Sequence, residues 1–200
     1  MKHILFMLCL LPATLMAQNF GGGAILGANF SQIDGDTDAG FRQVGLSVGG
    51  FVRYDLNDRF FLQPEIKYEQ LGSRQRQGFF VIRSHHISIP ILLTTNLGID
   101  LGEGNQEIQL EAGPVVGILL GASERISGND QSTIFRNPDF RAVAGGTYRF
   151  SDRWSFSLRY GYSIFSFLRR NPPNTFPLDA SRGGLFHNYV ALSFRYHLAE

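Results

Sequence analysis

The sequence predicts an all-β fold, namely an eight-stranded antiparallel up-and-down β-barrel that crosses a membrane. Three observations predict it: the composition, the alternation of apolar and polar residues along eight segments, and the lengths of the connections between those segments. The chain has 200 residues, with 23 Gly, 18 Phe, 7 Tyr and 1 Trp. Glycine disfavours helix interiors and aromatic residues favour strands, so this balance indicates a chain of strands.

The first residues are predicted to be a targeting segment rather than part of the fold. A short basic start precedes the apolar run 4–11, which is too short to span a bilayer. A secretory signal peptide is therefore predicted over residues 1–17, with cleavage after Ala17 and a barrel domain over residues 18–200. The only cysteine, Cys9, lies in the segment that is removed, so a disulfide scaffold is excluded.

The charge balance argues against a nucleic-acid binder. The chain has 18 Lys and Arg against 17 Asp and Glu, which gives a formal net charge of +1, whereas nucleic-acid binding favours a strongly basic surface. Hydrophobic residues make up 44% of the chain, which is too many for intrinsic disorder. We therefore expect a folded chain with no nucleic-acid partner.

Eight segments show the period-2 alternation of strands with one apolar face. In the clearest segment, aliphatic and aromatic residues from Phe60 onward alternate with Gln63, Glu65, Lys67 and Glu69. Long and short connections alternate between the segments, as in bacterial outer-membrane barrels with longer extracellular loops and short periplasmic turns, and an even strand number then puts both termini on the periplasmic side. The predicted connections are Gln32–Gln43, Asp55–Arg59, Gly72–Ser84, Gly98–Gln106, Ala122–Asp139, Ser151–Arg153 and Ser166–Leu185.

Aromatic residues indicate which face meets lipid. They share the parity of the apolar face and cluster at both ends of the predicted strands, as in the aromatic girdles of lipid-facing surfaces. The band at the short-turn ends is Tyr54, Phe60, Tyr148, Phe150, Trp154, Phe194 and Tyr196, and the band at the long-loop ends is Phe30, Tyr68, Phe140 and Phe186. The apolar face is therefore predicted to lie outside and the charged face inside.

The charged face is predicted to fill the lumen. The interior of an eight-stranded barrel is just wide enough for side chains, and unpaired buried charges are costly. We therefore expect an ion-paired network and a plugged lumen rather than a general pore, with inward glycines such as Gly117 and Gly161 leaving room for long side chains. The predicted lumen network is Arg53, Glu65, Lys67, Glu69, Glu107, Glu111, Arg141, Arg149, Arg159 and Arg195.

Four stretches of the chain resemble one known family. The stretches Gly22–Ser31, Val48–Glu65, Ile87–Leu93 and Leu110–Pro114 are similar to the PorT-like outer-membrane β-barrel family of Bacteroidetes. The resemblance implies an eight-stranded barrel of the cell outer membrane. A few members of that family are linked to the secretion of surface proteins.

Two short motifs allow alternative interpretations. His85 and His86 are adjacent in a strand and point to opposite faces, so they cannot readily chelate one ion, and we expect solvated rim residues rather than a metal pair or a catalytic base. The stretch 34–38 alternates carboxylates as a calcium loop does, but the later glycine and glutamate of an EF-hand are absent. An acidic turn is expected, and a weak calcium site in loop 32–43 stays open.

Arginines in the long loops are candidate contacts for lipopolysaccharide or a partner protein. Guanidinium groups bind phosphate bidentately, and the outer leaflet is rich in lipopolysaccharide phosphates. Acidic residues share these loops, so solvated loop charge is the alternative. The candidate contacts are Arg74, Arg76, Arg83, Arg169, Arg170 and Arg182. The last predicted strand, 189–196, carries alternating aromatic residues that resemble the signal read by the barrel-insertion machinery, a second expected partner.

The sequence thus predicts a non-enzymatic outer-membrane barrel without a cofactor or metal. We expect it to act as an anchor or docking protein for an envelope or secretion partner. Three alternatives stay open: an outer-membrane enzyme with an active site at the rim, a small channel, and a secreted soluble barrel of the lipocalin type. A clustered His/Asp/Ser set at the rim would favour the enzyme, ion conductance the channel, and extraction without detergent the soluble barrel.

Overall fold

The computed structural model describes residues 20–35, 40–74, 81–99, 106–124, 135–167 and 184–198. Its strands are β1 (Phe20–Asp34), β2 (Gln43–Asp55), β3 (Phe60–Arg74), β4 (Val81–Asn96), β5 (Glu107–Glu124), β6 (Asp139–Arg149), β7 (Trp154–Ser163) and β8 (Phe186–Leu198). Each strand pairs antiparallel with its neighbours in sequence, and β8 pairs with β1 to close the barrel. The predicted fold class is confirmed. Within the described ranges, no helix is long and apolar enough to cross a bilayer.

Successive side chains along each strand alternate between the lumen and the outer surface, because the strand period is two. In β3, Glu65, Lys67 and Glu69 are buried inside, whereas Ile66 is 60% exposed outside. The outer face is aliphatic, as the outside of a transmembrane barrel requires. Its exposed members include Leu26, Val48, Ile91, Leu93, Leu110 and Leu158. The predicted assignment, with the apolar face outside and the charged face inside, is confirmed.

Two aromatic bands flank this aliphatic zone. At the end of the barrel where β1 begins and β8 ends, Trp154 packs edge-on against Tyr196, with ring centroids 5.0 Å apart. At the opposite end, which we call the loop end, Tyr162 stacks on Phe186 at 5.9 Å. Aromatic rings concentrate at membrane–water interfaces, so the two bands mark the edges of the lipid-facing zone.

The strands extend further toward the loop end than the alternation alone predicts. β1 continues to Asp34, and β3 and β4 stay paired as far as Arg74 and Val81. The connection 75–80 is consequently shorter than the connection 97–106 at the other end, so the predicted strict alternation of long and short connections is wrong at this hairpin. Backbone pairing does not need apolar side chains, and polar residues continue the ladder beyond the lipid-facing zone.

The loop end of β3 bends inward over the lumen. Leu71, Gly72 and Ser73 are consecutive and all buried, where a regular strand would turn every second residue outward. The backbone nitrogen of Gly72 donates to the hydroxyl of Ser31 on β1 at 3.0 Å, so β3 reaches past β2. Gly72 has a φ of +156°, and a Cβ there would lie 2.0 Å from the carbonyl oxygen of Ile82, so this bend requires glycine.

Leu158→Arg places a charge in the middle of the outer face, where Leu158 is 50% exposed and lies opposite Leu192 of β8. A charge at the bilayer midplane loses its hydration, so we expect the free energy of unfolding in lipid vesicles to fall by about 2–4 kcal/mol. Leu198→Arg, at the last residue of β8, is the matched control and should lower it by about 0–1 kcal/mol. Urea titration measures both. Equal effects would mean that Leu158 does not face the bilayer core.

Candidate functional site in the lumen

The inward side chains form three layers along the barrel axis. An aromatic floor lies at the end where β1 begins and β8 ends, a charged network fills the middle, and an apolar cap lies at the loop end. In the floor, the rings of Phe51 and His197 pack edge-on at 5.2 Å, and the Arg53 guanidinium lies 4.0 Å from the ring centre of Phe61. The strand register decides which residues share a layer, because inward positions recur every second residue.

Arg159 of β7 lies between two carboxylates in the middle layer. Its guanidinium pairs bidentately with Glu65 of β3, with Nη1–Oε2 and Nη2–Oε1 distances of 2.7 and 2.6 Å. On its other side, Nε lies 2.6 Å from Oε1 of Glu111 on β5. Glu111 also accepts hydrogen bonds from Arg195 of β8 at 2.8 Å and from the Ser157 hydroxyl at 2.9 Å. These contacts join four strands across the lumen.

Lys67 and Arg141 extend the network toward the loop end. The Lys67 ammonium lies 2.9 Å from Oε1 of Glu69 and 3.6 Å from Oε2 of Glu65. Arg141 of β6 reaches across the lumen to Glu69, with Nη1 and Oε2 at 3.2 Å, and its Nε lies 3.0 Å from Oδ2 of Asp139. Charge pairs therefore follow one another without a break along the middle of the barrel.

The network is electrically balanced and closed to water. Its members, which we call the central network, are the acids Glu65, Glu69, Glu111 and Asp139 and the bases Lys67, Arg141, Arg159 and Arg195. Their side chains are at most 6% exposed. A water-filled pore would leave these groups accessible, so the middle of the lumen is blocked by the ion pairs themselves.

Inward glycines make room for the long side chains, as predicted. A Cβ on Gly117 would lie 2.3 Å from Nη2 of Arg141, so a larger residue there would force this guanidinium to shift from its place against the wall of the barrel. A Cβ on Gly161 would lie 2.3 Å from the ring of Tyr189, which is also buried. The wall is therefore shaped around the side chains that fill it.

The structure places three predicted network members in the floor, with partners there. The Nε of Arg53 lies 2.7 Å from a carboxylate oxygen of Asp55, and Arg149 donates to the main-chain oxygen of Asp152 at 2.8 Å. Glu107 accepts a hydrogen bond from the glutamine two residues along, at 3.0 Å. These residues occupy the inward positions nearest the strand ends, where local partners are within reach.

Sequence reasoning missed Asp139 as a network member. It was assigned to the connection before β6, yet it is the first residue of that strand and lies two positions before Arg141, on the same inward face. Inward positions recur every second residue, so the inward position before Arg141 is Asp139, and this spacing is the signal that identifies it. Ser163 of β7 donates to the other carboxylate oxygen of Asp139 at 3.3 Å.

The apolar cap is the second feature that the sequence analysis missed. It consists of buried residues that pack together above the central network, namely Ile33, Ile82, Ala122, Phe135, Phe167 and Leu185. The rings of Phe135 and Phe167 pack edge-on at 5.1 Å, and Phe167 stacks on His187 at 4.0 Å. Phe135, Phe167 and Leu185 lie between strands, where no alternation exists to show which side they face.

The two adjacent histidines lie on opposite sides of the barrel wall. His85 is outside and half-buried, with its Nδ1 2.6 Å from the Tyr68 hydroxyl. His86 is inside and only 2% exposed, and its ring meets that of His187 edge-on at 5.3 Å. The expectation of two solvated rim residues is wrong for His86, because the strands and the cap extend above it. Among the described residues, no three metal-ligating side chains come together.

The remaining sequence candidates lie at or beyond the loop end. Arg74 and Arg83 are exposed on the β3–β4 hairpin. Outside the described residues lie Arg76, Arg169, Arg170 and Arg182. Asp34, the first carboxylate of the acidic stretch, accepts side-chain amide hydrogen bonds at 2.7 and 3.0 Å. The rest of the calcium-like pattern, 36–39, also lies outside the described residues.

Glu65→Ala leaves Arg159 with one carboxylate instead of two in a buried site. Removing one partner of a buried ion pair leaves an uncompensated charge, so we expect the free energy of unfolding to fall by about 3–5 kcal/mol. The measurement is urea unfolding in lipid vesicles.

A double variant separates lost charge balance from lost packing. Glu65→Leu combined with Arg159→Met removes one acid and one base, so the network stays balanced. We expect this pair to be destabilised less than Glu65→Ala, because buried ion pairs contribute little beyond an apolar pair of similar volume. A loss equal to or larger than that of Glu65→Ala would contradict the charge-balance explanation.

Two solved structures are similar to this barrel. Ail, the attachment invasion locus protein of Yersinia pestis, aligns with a TM-score of 0.52 and 12% identity, covering 90% of this chain and 100% of that chain. Ail in complex with the heparin analogue sucrose octasulfate aligns with a TM-score of 0.51, at 12% identity and with the same coverage of both chains. At this identity the similarity shows the fold alone. A comparison with curated proteins gives no match.

The sequence itself matches a known family over most of its length. The match covers residues 16–169, a span that contains β1 to β7, and the family is described as the outer membrane protein beta-barrel domain. The closed eight-stranded barrel, its apolar outer face and its two aromatic bands agree with this match. The chain belongs to the outer membrane protein beta-barrel domain family and is an eight-stranded barrel of the outer membrane.

Proposed function

We propose that this barrel is a non-conducting, non-enzymatic outer-membrane protein that anchors or docks a partner of the cell envelope. The observation that carries the proposal is the closed lumen, whose central network is at most 6% exposed. A barrel without a water path has only its rims and its outer surface with which to act. Docking on those surfaces is the role that we propose.

The floor and the cap support a closed barrel at both ends. Phe51 and Phe61 are 5% and 2% exposed in the floor, and the cap residues Phe135 and Phe167 are 4% and 2% exposed. An ion that entered from the loop end would first have to displace the apolar cap, and an ion from either end would have to separate the paired charges of the central network. Both steps are unfavourable, which argues against the small-channel alternative.

The chemistry of the buried polar groups supports a non-enzymatic role. Ser163 donates to Asp139 at 3.3 Å and accepts from the backbone nitrogen of His187 at 3.0 Å, so its hydroxyl is occupied beneath the cap. His85 and His86 lie on opposite sides of the wall and cannot serve one active site. The positions of these groups favour a structural role over hydrolysis or acyl transfer at the rim.

The PorT-like resemblance extends the proposal to the secretion of surface proteins. Both termini leave the barrel at one end, since Gly22 pairs with Leu198, and we assign this end to the periplasm. The loop end then faces the cell exterior and an envelope or secretion partner. Assembly would proceed through the barrel-insertion machinery, which fits the alternating aromatic residues Phe194 and Tyr196 near the end of β8.

Planar-bilayer recording tests the closed lumen. Purified, folded protein should show no stable open state, because no continuous water column passes the central network. Each sample is shown to be folded if it migrates faster on a gel when unheated than after boiling. Reproducible conductance steps from folded protein would reject the proposal and favour a channel.

Cysteine labelling in intact cells tests the assignment of the two ends. Arg42→Cys, on the exposed loop end, should react with a membrane-impermeant maleimide. Arg153→Cys, in the exposed turn between β6 and β7 near β7, should react only after the outer membrane is permeabilised. The reverse pattern would place the termini outside the cell.

A further inference from the structure

The outer face of the β3–β4 hairpin changes from apolar to polar at the loop end. Along β3 the outward residues are Ile66, Tyr68, Gln70 and Arg74, and along β4 they are Ile89, Ile87, His85 and Arg83. Neighbouring strands stay apolar near the same height, with Leu46 44% and Leu120 59% exposed. Gln70 pairs with His85, and Gly72 pairs with Arg83 two residues further toward the loop end. This sector therefore presents hydrogen-bonding groups where the lipid headgroups begin.

Hydrogen bonds hold the polar groups of this sector in place. The backbone nitrogen of Leu46 donates to Oε1 of Gln70 at 3.2 Å, and Nε2 of Gln70 donates to the Tyr68 hydroxyl at 3.1 Å. The hydroxyl lies 2.6 Å from Nδ1 of His85. Since the hydroxyl accepts from Gln70, it can donate its own proton to Nδ1, and the ring then carries a proton on Nε2. His85 is thereby prepared as a donor.

Small residues leave a notch between these groups. Gly121 of β5 lies opposite His85, and a Cβ there would meet nothing within 4 Å. Arg83 lies between Gly72 on one side and Ser123 on the other. Both arginine side chains, Arg74 and Arg83, are exposed. The notch is therefore open to the outside, and His85, Arg83 and Ser123 border it.

We propose that this notch, formed by His85, Arg83, Ser123 and Gly121 with Arg74 above it, binds the phosphorylated sugar headgroup of an outer-leaflet glycolipid. Guanidinium groups bind phosphate bidentately, and the side chains of His85 and Ser123 suit the hydroxyl groups of a sugar. The aliphatic residues below, such as Ile66, offer a surface for the acyl chains. The site is on the outside of the barrel and does not depend on a closed lumen.

The test uses the purified full barrel in detergent and diphosphoryl lipid A as the probe. Gel mobility reports the folded fraction at each temperature as increasing amounts of lipid A are added. The shift of the unfolding temperature with lipid A concentration gives the dissociation constant. We expect Arg74→Gln combined with Arg83→Gln to weaken binding about tenfold or more, because each charge-assisted contact is lost. Gly121→Leu should weaken it as well, by filling a notch that the native fold leaves empty.

The matched control is Arg42→Gln, which removes an exposed loop-end arginine outside the notch. It should bind lipid A as tightly as the wild type. Unchanged binding by the double arginine variant, or an equal loss in Arg42→Gln, would overturn the proposal. Competition by inorganic phosphate at the concentration of the lipid would also overturn it, because the site would then recognise free phosphate rather than a lipid headgroup.

Discussion

Arg159 can be buried in the lumen only because Glu65 and Glu111 neutralise it from two sides. A guanidinium held away from water without such partners is destabilised by several kcal/mol. Glu65 and Glu111 carry two negative charges against the single positive charge of Arg159. Lys67 and Arg195 lie beside these carboxylates and compensate the excess negative charge, so the need for charge balance extends to further strands. The register of the barrel, the inward glycines, the aromatic floor and the apolar cap are all compatible with this one constraint.

The floor and the cap keep the central network in a medium where ion pairs are strong. Water that reached Arg159 would screen its contacts and weaken the links between β3, β5, β7 and β8. The inward bend of β3 at Gly72 and the stacking of Phe167 on His187 reduce that access from the loop end. Closure and ion pairing therefore depend on each other.

The sequence predicts the fold well because alternation is a local property. Period-2 patterns locate all eight strands and assign the two faces of each strand. Seven of the eight members of the central network are predicted from their positions on the charged face. The pairing of Glu65 with Arg159 is not local: the residues are 94 positions apart, and strand tilt and register decide their meeting. The cap is missed for another reason, since Phe135 and Phe167 lie between strands, where no alternation shows which side they face. Asp139 is missed because the predicted start of β6 falls one residue too late.

The barrel thus has two parts, a closed lumen and the outer surface on which we propose that it acts. The most direct test of this division is the accessibility of Ser157, which is fully buried and bonded to both Glu111 and Arg195 at 2.9 Å. Ser157→Cys is nearly isosteric, and Ser151→Cys in an exposed turn is its control. A small water-soluble thiol reagent should modify the control in folded protein and modify Ser157→Cys only after unfolding in urea. Equal reaction rates in the folded barrel would show that water fills the lumen and would contradict the account.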